Sequence, residues 1–203
     1  MCRNCRCDRR WRRGLSGSGI GLNEELEVLN LVAQRLAEAD ILYMVTGSVA
    51  MSIYATPRMT RDIDIVVAIS EEDVSRIVTL YEEEFYIDRD MIIEAIRNEG
   101  MFNIIHNEYV VKVDFIVRKS AEYRQVEFDR RRQVRVGSTP LWLVSPEDLV
   151  LSKLWWAKDS QSEQQLSDIG NILQQVKELD REYLDKWVQN LGLTEIYQRI
   201  GHE

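Results

Sequence analysis

Arg61-Asp62-Ile63-Asp64-Ile65-Val66-Val67 is the stretch that decides how this chain folds. It reads as a buried strand with two aspartates set into an Ile/Val run. Side chains alternate along a strand, so Asp62 and Asp64 point to one side and Ile63, Ile65 and Val67 to the other. Asp is a poor strand former, and two adjacent carboxylates repel each other unless something positive stands between them. A divalent cation meets that need, and Mg²⁺ favours hard carboxylate oxygens combined with substrate phosphates. The rival account is a structural pair held by Arg58, Arg61 or Lys112.

Working outward, Ile41 to Val45 is a short apolar run that stops at Gly47-Ser48, so it reads as a strand turning into a helix over about 48–54. Thr56-Pro57 ends that helix. Backbone N–H groups at such a turn point outward with the positive end of the helix dipole, which suits phosphate oxygens; the plainer reading is a turn with Ser48 as cap. Downstream, Tyr109 to Val117 is a second strand-like run carrying Asp114, with Lys112 on the same face. It pairs with Met101 to Ile105 through a tight turn near Asn107 that includes His106. Three carboxylates can hold two metal ions ~3.5–4 Å apart around an in-line phosphoryl displacement.

The ordered set Val45-Thr46-Gly47-Ser48, Arg61-Asp62-Ile63-Asp64 and Val113-Asp114 resembles the signature of the nucleotidyltransferase superfamily with the DNA-polymerase-β-like fold. Ser145-Pro146-Glu147-Asp148-Leu149-Val150-Leu151-Ser152-Lys153-Leu154, followed by Gln165-Leu166-Ser167-Asp168-Ile169, is similar to a bacterial branch related to the abortive-infection toxins. The resemblance covers about residues 24–175. It implies an α+β fold: a mixed β-sheet flanked by helices, with a C-terminal helical part. It also implies Mg²⁺ or Mn²⁺ on Asp62, Asp64 and Asp114, and a nucleoside triphosphate on Gly47, Ser48, Arg61 and Lys153. The acceptor is a hydroxyl on RNA, protein or a small molecule, and a partner protein of a toxin–antitoxin pair is part of the same expectation. The rivals are a non-catalytic nucleotide-binding or interaction module and an antibiotic-modifying transferase.

The 203 residues and 45% hydrophobic content suit one domain with a real core. Three parts are expected: a disordered basic tail at 1–21, a core at 22–145 and a C-terminal helical extension at 146–203 packed on it. Residues 1–21 carry six arginines against Asp8, whereas the remainder holds 20 basic and 33 acidic residues. An acidic body disfavours broad nucleic-acid binding. Arg130-Arg131-Arg132 with Arg135 is either a local RNA contact or a solvated, self-repelling stretch. All three cysteines lie in Cys2-Arg3-Asn4-Cys5-Arg6-Cys7, so disulfides do not build the fold; zinc would need a fourth ligand. With no run of ~18 apolar residues and no secretory pattern, a cytoplasmic protein without a membrane span is expected.

The remaining candidates divide between packing and function. Asn23 reads as the cap of a helix to about Glu38, with Leu29, Val32 and Leu36 on its apolar stripe. Ser145-Pro146-Glu147-Asp148 is a strong helix start. Lys153 stands in a helix apolar almost all round, so it either snorkels outward or faces a polar cleft. Asp168 either pairs with it or caps local structure. Trp155, Trp156 and Trp187 read as core rather than as a stacking platform. Arg58 and Thr60 precede the aspartate strand and face either phosphates or local acids.

Overall fold

The computed structural model describes residues 20–55, 62–137, 139–160 and 162–200. The elements run α1 (Ile20–Glu38), β1 (Tyr43–Val45), α2 (Gly47–Tyr54), β2 (Asp62–Val67), a 3₁₀ turn (Glu71–Asp73), α3 (Val74–Tyr81), β3 (Phe85–Tyr86), α4 (Arg89–Arg97), β4 (Met101–His106), β5 (Lys112–Val117), α5 (Glu122–Asp129), β6 (Arg132–Val136), β7 (Thr139–Leu143), α6 (Pro146–Ser160), α7 (Glu163–Gln175), α8 (Arg181–Asn190) and α9 (Thr194–Ile200). α1 begins three residues before the expected Asn23 cap. The basic, cysteine-bearing segment, and with it the zinc question, lies outside the described residues, as do Arg58, Thr60 and Arg61.

Seven strands form one mixed sheet in the order β3-β4-β5-β2-β1-β7-β6. β2 runs parallel to β5 and antiparallel to β1, while β3, β4 and β5 form an antiparallel meander on the far side. One face is the core. Ile63, Ile65 and Val67 of β2, Phe102 and Ile104 of β4, and Val113, Phe115 and Val117 of β5 are all buried. Against them lie Val28, Leu29, Val32 and Leu36 of α1 and Ile77 and Tyr81 of α3, buried in the same cluster. Tyr81 links the layers. Its ring packs on Phe85 and Phe115, and its hydroxyl donates to the Val32 carbonyl at 3.1 Å. Burial pushes that phenol well above its ordinary pKa, as expected where ionisation would strand a charge in hydrocarbon.

The period-two pattern of β2 is strict: Ile63, Ile65 and Val67 are buried, whereas Asp62 is exposed and Asp64 and Val66 are half-buried. The β4–β5 turn is wider than expected. His106 closes β4 rather than lying in the turn, and its buried ring accepts at Nδ1 from the Glu108 and Tyr109 amides. α2 packs between β2 and the helices α6 and α7, and α6 also meets α8 and α9. Ser145 caps α6 as its sequence predicts, accepting from the Asp148 amide at 3.1 Å.

Two expectations need correction. Trp187 is core, but Trp155 and Trp156 are 43% and 67% exposed, because successive positions of a helix cannot all face one core. Arg130, Arg131 and Arg132 are not simply solvated. Arg130 pairs with Glu147 and Asp148, Arg132 pairs with Glu147, and Arg131 lies over Phe128 and Trp142.

Candidate active site

The face of the sheet opposite the side chains packed on α1 and α3 carries the candidate site residues. Strand register aligns Asp64 of β2 with Asp114 of β5, and Asp62 with Lys112. In parallel strands such partners lie on the same face, so Asp62, Asp64, Asp114 and Lys112 form one patch. Asn103 of β4 extends the Asp64–Asp114 row, and Tyr86 and Ile105 extend the row of Lys112. Asn103 and Tyr86 were not found in the sequence, because only register reveals their place beside the aspartates.

Asp114 is buried, and Lys112 Nζ lies 2.8 Å from its Oδ2. Its other oxygen, Oδ1, is buried without a hydrogen-bond partner. Lys112 is pushed above its ordinary pKa, first by the hydrogen bond to Asp114, with Asp62 and Asp64 adding to it. Asp64 is raised to about 6, first by burial and then by repulsion from Asp114 and Asp62, with Lys112 and Lys153 pulling the other way. Among the described residues, the carboxylates of Asp62, Asp64 and Asp114 share this face with Lys112, and Lys153 acts on Asp64 from farther off.

Gly47 forms the adjoining wall. Its φ is +62°, and a Cβ built there would stand 1.9 Å from Asp64 Oδ2. Glycine is needed twice, for the left-handed backbone and for the approach of the carboxylate. The Thr46 amide donates to the Asp64 carbonyl at 2.9 Å, locking the α2 N-terminus to β2. Ser48, the next residue, is 8% exposed. The fold thus brings Gly47, at the N-terminus of α2, against Asp64 in the carboxylate row.

Lys153 is 5% exposed and faces inward rather than snorkelling. Its Nζ donates to Asp168 Oδ2 at 2.7 Å and to Gln165 Oε1 at 3.0 Å, joining α6 to α7. Its charge acts on Asp64, but its nearest acid is Asp168. Arg61, expected on the phosphates, falls outside the described residues.

Among the described residues no three His, Cys, Asp or Glu side chains are gathered into a ready-made metal cage. The donor chemistry of the aspartate patch nevertheless fits a hard divalent cation. The patch offers a buried oxygen without a partner on Asp114 and a carboxylate on Asp64 under like-charge repulsion. No helix among the described residues is long and apolar enough to cross a membrane.

The seven-stranded mixed sheet flanked by helices is similar to the fold of nucleotidyltransferases. The chain belongs to the family described as "nucleotidyltransferase of unknown function (DUF6036)", whose model matches residues 20–198. Similar solved structures include an antigenic nucleotidyltransferase-like protein from Paracoccidioides brasiliensis, at 16% identity over 92% of this chain and 96% of that one, with a TM-score of 0.56. The antibiotic-resistance factor ANT(2'')-Ia is similar at 13% identity over 90% and 97%, with a TM-score of 0.56. Its complex with adenylyl-2''-tobramycin matches at 12% over 86% and 99%, with a TM-score of 0.54. No curated protein matches the chain by sequence.

Proposed function

We propose that this nucleotidyltransferase moves a nucleoside monophosphate from a nucleoside triphosphate to a hydroxyl acceptor, with Asp62, Asp64 and Asp114 holding Mg²⁺ or Mn²⁺. The observation that carries the reading is the in-register pair of Asp64 and Asp114, the latter with a buried oxygen lacking a partner. The amides at Gly47 and Ser48 hold phosphate oxygens, aided by the positive end of α2. Arg61 and Lys153 add positive charge, Lys153 from its anchored place beside Asp168. The acceptor hydroxyl attacks the α-phosphorus, and its proton passes to Asp114. The bond from phosphorus to the bridging oxygen breaks, and pyrophosphate leaves. When bound, the cation supplies neutralisation of the attacking and leaving oxygens. The chain's own contribution is orientation along a rigid strand pair.

A small hydroxylated molecule is favoured over RNA as acceptor. Of the arginines that would serve as an RNA patch, Arg130, Arg131 and Arg132 are engaged instead with Glu147, Asp148 and the Phe128 and Trp142 rings. The net charge of −8 points the same way. ANT(2'')-Ia, whose complex holds an adenylyl-tobramycin, offers a fold precedent for such an acceptor. A toxin–antitoxin role with a partner protein is the finer alternative, and the aspartate patch argues against a purely non-catalytic module. The catalytic core, expected at 22–145, would then begin with α1 at Ile20, followed by the helical extension expected at 146–203, and the dispensable tail would end before α1 rather than at residue 21.

The test is incubation with each α-labelled nucleoside triphosphate and Mg²⁺ or Mn²⁺, in the presence of total RNA, a small-molecule extract or a protein lysate. Label in a small molecule that disappears with Asp64→Asn supports the reading. Label in RNA or protein reassigns the acceptor, and no labelled product in any arm leaves only the binding module.

A further inference from the structure

We propose that Lys112 is a resident counter-cation of the aspartate patch, which holds the carboxylates together without metal and is displaced when a divalent cation enters. This rests on the metal-site reading above. Lys112 Nζ is 2.8 Å from Asp114 Oδ2, an oxygen that a bound cation would need. Backbone register fixes Lys112 opposite Asp62 on one side and Ile105 on the other, so its ammonium starts inside the patch. An ammonium carries one charge and meets only one Asp114 oxygen, leaving Oδ1 without a partner. A divalent ion carries twice the charge and accepts several carboxylates at once. Two cations therefore compete for the same oxygen.

The side chains also differ in their freedom to leave. Asp114 is 7% exposed at its side chain, whereas Lys112 is 39% exposed. The ammonium sits on a flexible four-carbon stem, so it can swing to water without moving β5. Of the paired side chains, buried Asp114 is the fixed member and Lys112 the movable one. Lys112 thus lowers the repulsion among the aspartates in the metal-free protein and weakens apparent metal affinity by the cost of its own displacement.

The test is calorimetric titration of Mn²⁺ alone into the full chain, comparing the wild type with Lys112→Met, Lys112→Gln, Lys112→Arg and Asp64→Asn, with metal-free melting measured alongside. The expected result is Mn²⁺ binding about tenfold tighter in Lys112→Met and Lys112→Gln, the scale of one nearby charge after solvent screening. Their metal-free melting temperature is lower and recovers in excess Mn²⁺. Lys112→Arg keeps affinity at or below the wild type. Equal or weaker Mn²⁺ affinity in the neutral variants, with wild-type binding intact and lost in Asp64→Asn, overturns the proposal and leaves the metal site standing. Binding that survives Asp64→Asn, or no binding in any form, removes the metal site and the proposal together.

Discussion

Two carboxylate clusters in this fold are treated in opposite ways. Around the start of α6, Glu147 and Asp148 are fully buried and fully served. Asp148 takes hydrogen bonds from the Tyr123 and Tyr183 hydroxyls, Ser145 and Arg130. Glu147 takes them from Arg130, Arg132 and the Asp180 amide. Nearby, Glu127 is held by Arg124 and Ser152. At the sheet face, Asp114 has Lys112 on one oxygen and nothing on the other, and Asp64 is raised first by burial and then by its neighbours' charge. A buried acid that serves structure is given donors, because leaving it without them costs several kcal/mol. At the sheet face Asp114 keeps one oxygen without a donor and Gly47 yields space to its neighbour Asp64, the pattern on which the proposed ligand site rests.

The largest expected effect falls on the pair that joins the two regimes. Lys153→Met removes the cation held at 2.7 Å by buried Asp168 and should destabilise the protein by roughly 3 kcal/mol in denaturant melts. Sequence alone suggests the contrary, that Met would relieve a desolvated lysine, because the sequence leaves Asp168 either pairing with Lys153 or capping local structure and does not decide between them. If stability is unchanged, Lys153 has no structural share and acts on ligand only. Arg130→Ala should come next, at roughly 2 kcal/mol. It strips a donor from both Glu147 and Asp148 and a cation from the Tyr183 ring, 3.6 Å from its centroid. A neutral outcome would show that the α6 cluster is less dependent on its donors than the contrast requires.

Gly47→Ala should cost about 1–2 kcal/mol, through the positive φ and the displaced Asp64 carboxylate. It should also weaken Mn²⁺ binding by more than tenfold. Wild-type affinity in that variant would show that Gly47 does not shape the carboxylate row.

The smallest effect has the opposite sign. Asp64 binds its proton more tightly in the folded state, near pH 6, than in the unfolded chain, near ~3.9. In that window the native state holds the extra proton, so stability falls as pH rises from about 4 through 6. Asp64→Asn should therefore stabilise the metal-free protein at pH 7 by about 1 kcal/mol, after allowance for partial exposure, and flatten that part of its pH profile. Glu127 is also raised by burial, so the informative quantity is the difference between wild type and variant across pH 4–7. An unchanged difference would mean that Asp64 is not under the repulsion described.

Much of this contrast is written locally. Alternation along Asp62-Ile63-Asp64-Ile65 places both carboxylates on one face, and the same rule aligns Lys112 with Asp114. What escapes local reading is the partner across the fold. Glu147 and Asp148 look like first-turn acids answering a helix dipole, yet among the described residues they are the most buried carboxylates, and their arginines lie a hairpin earlier. α5 was not anticipated, because its buried face includes Glu127 beside Tyr123 and Phe128, which breaks the apolar periodicity that announces a helix. β3 has only two residues, too few for any pattern. Hydrophobicity alone places Trp155 and Trp156 in the core, because it cannot tell the buried side of α6 from its exposed side.

The account stands on the aspartate patch being a metal and nucleotide site. The direct measurement is the thermal shift of the full chain with nucleoside triphosphate and Mn²⁺ together, in the wild type and in Asp62→Asn with Asp64→Asn. A ligand bound only by the folded state raises the melting temperature, so the wild type should melt several degrees higher and the double variant should show no shift, although it folds. Equal shifts in both proteins, or none in the wild type, would contradict the assignment and make the uneven treatment of the two clusters a feature of packing alone.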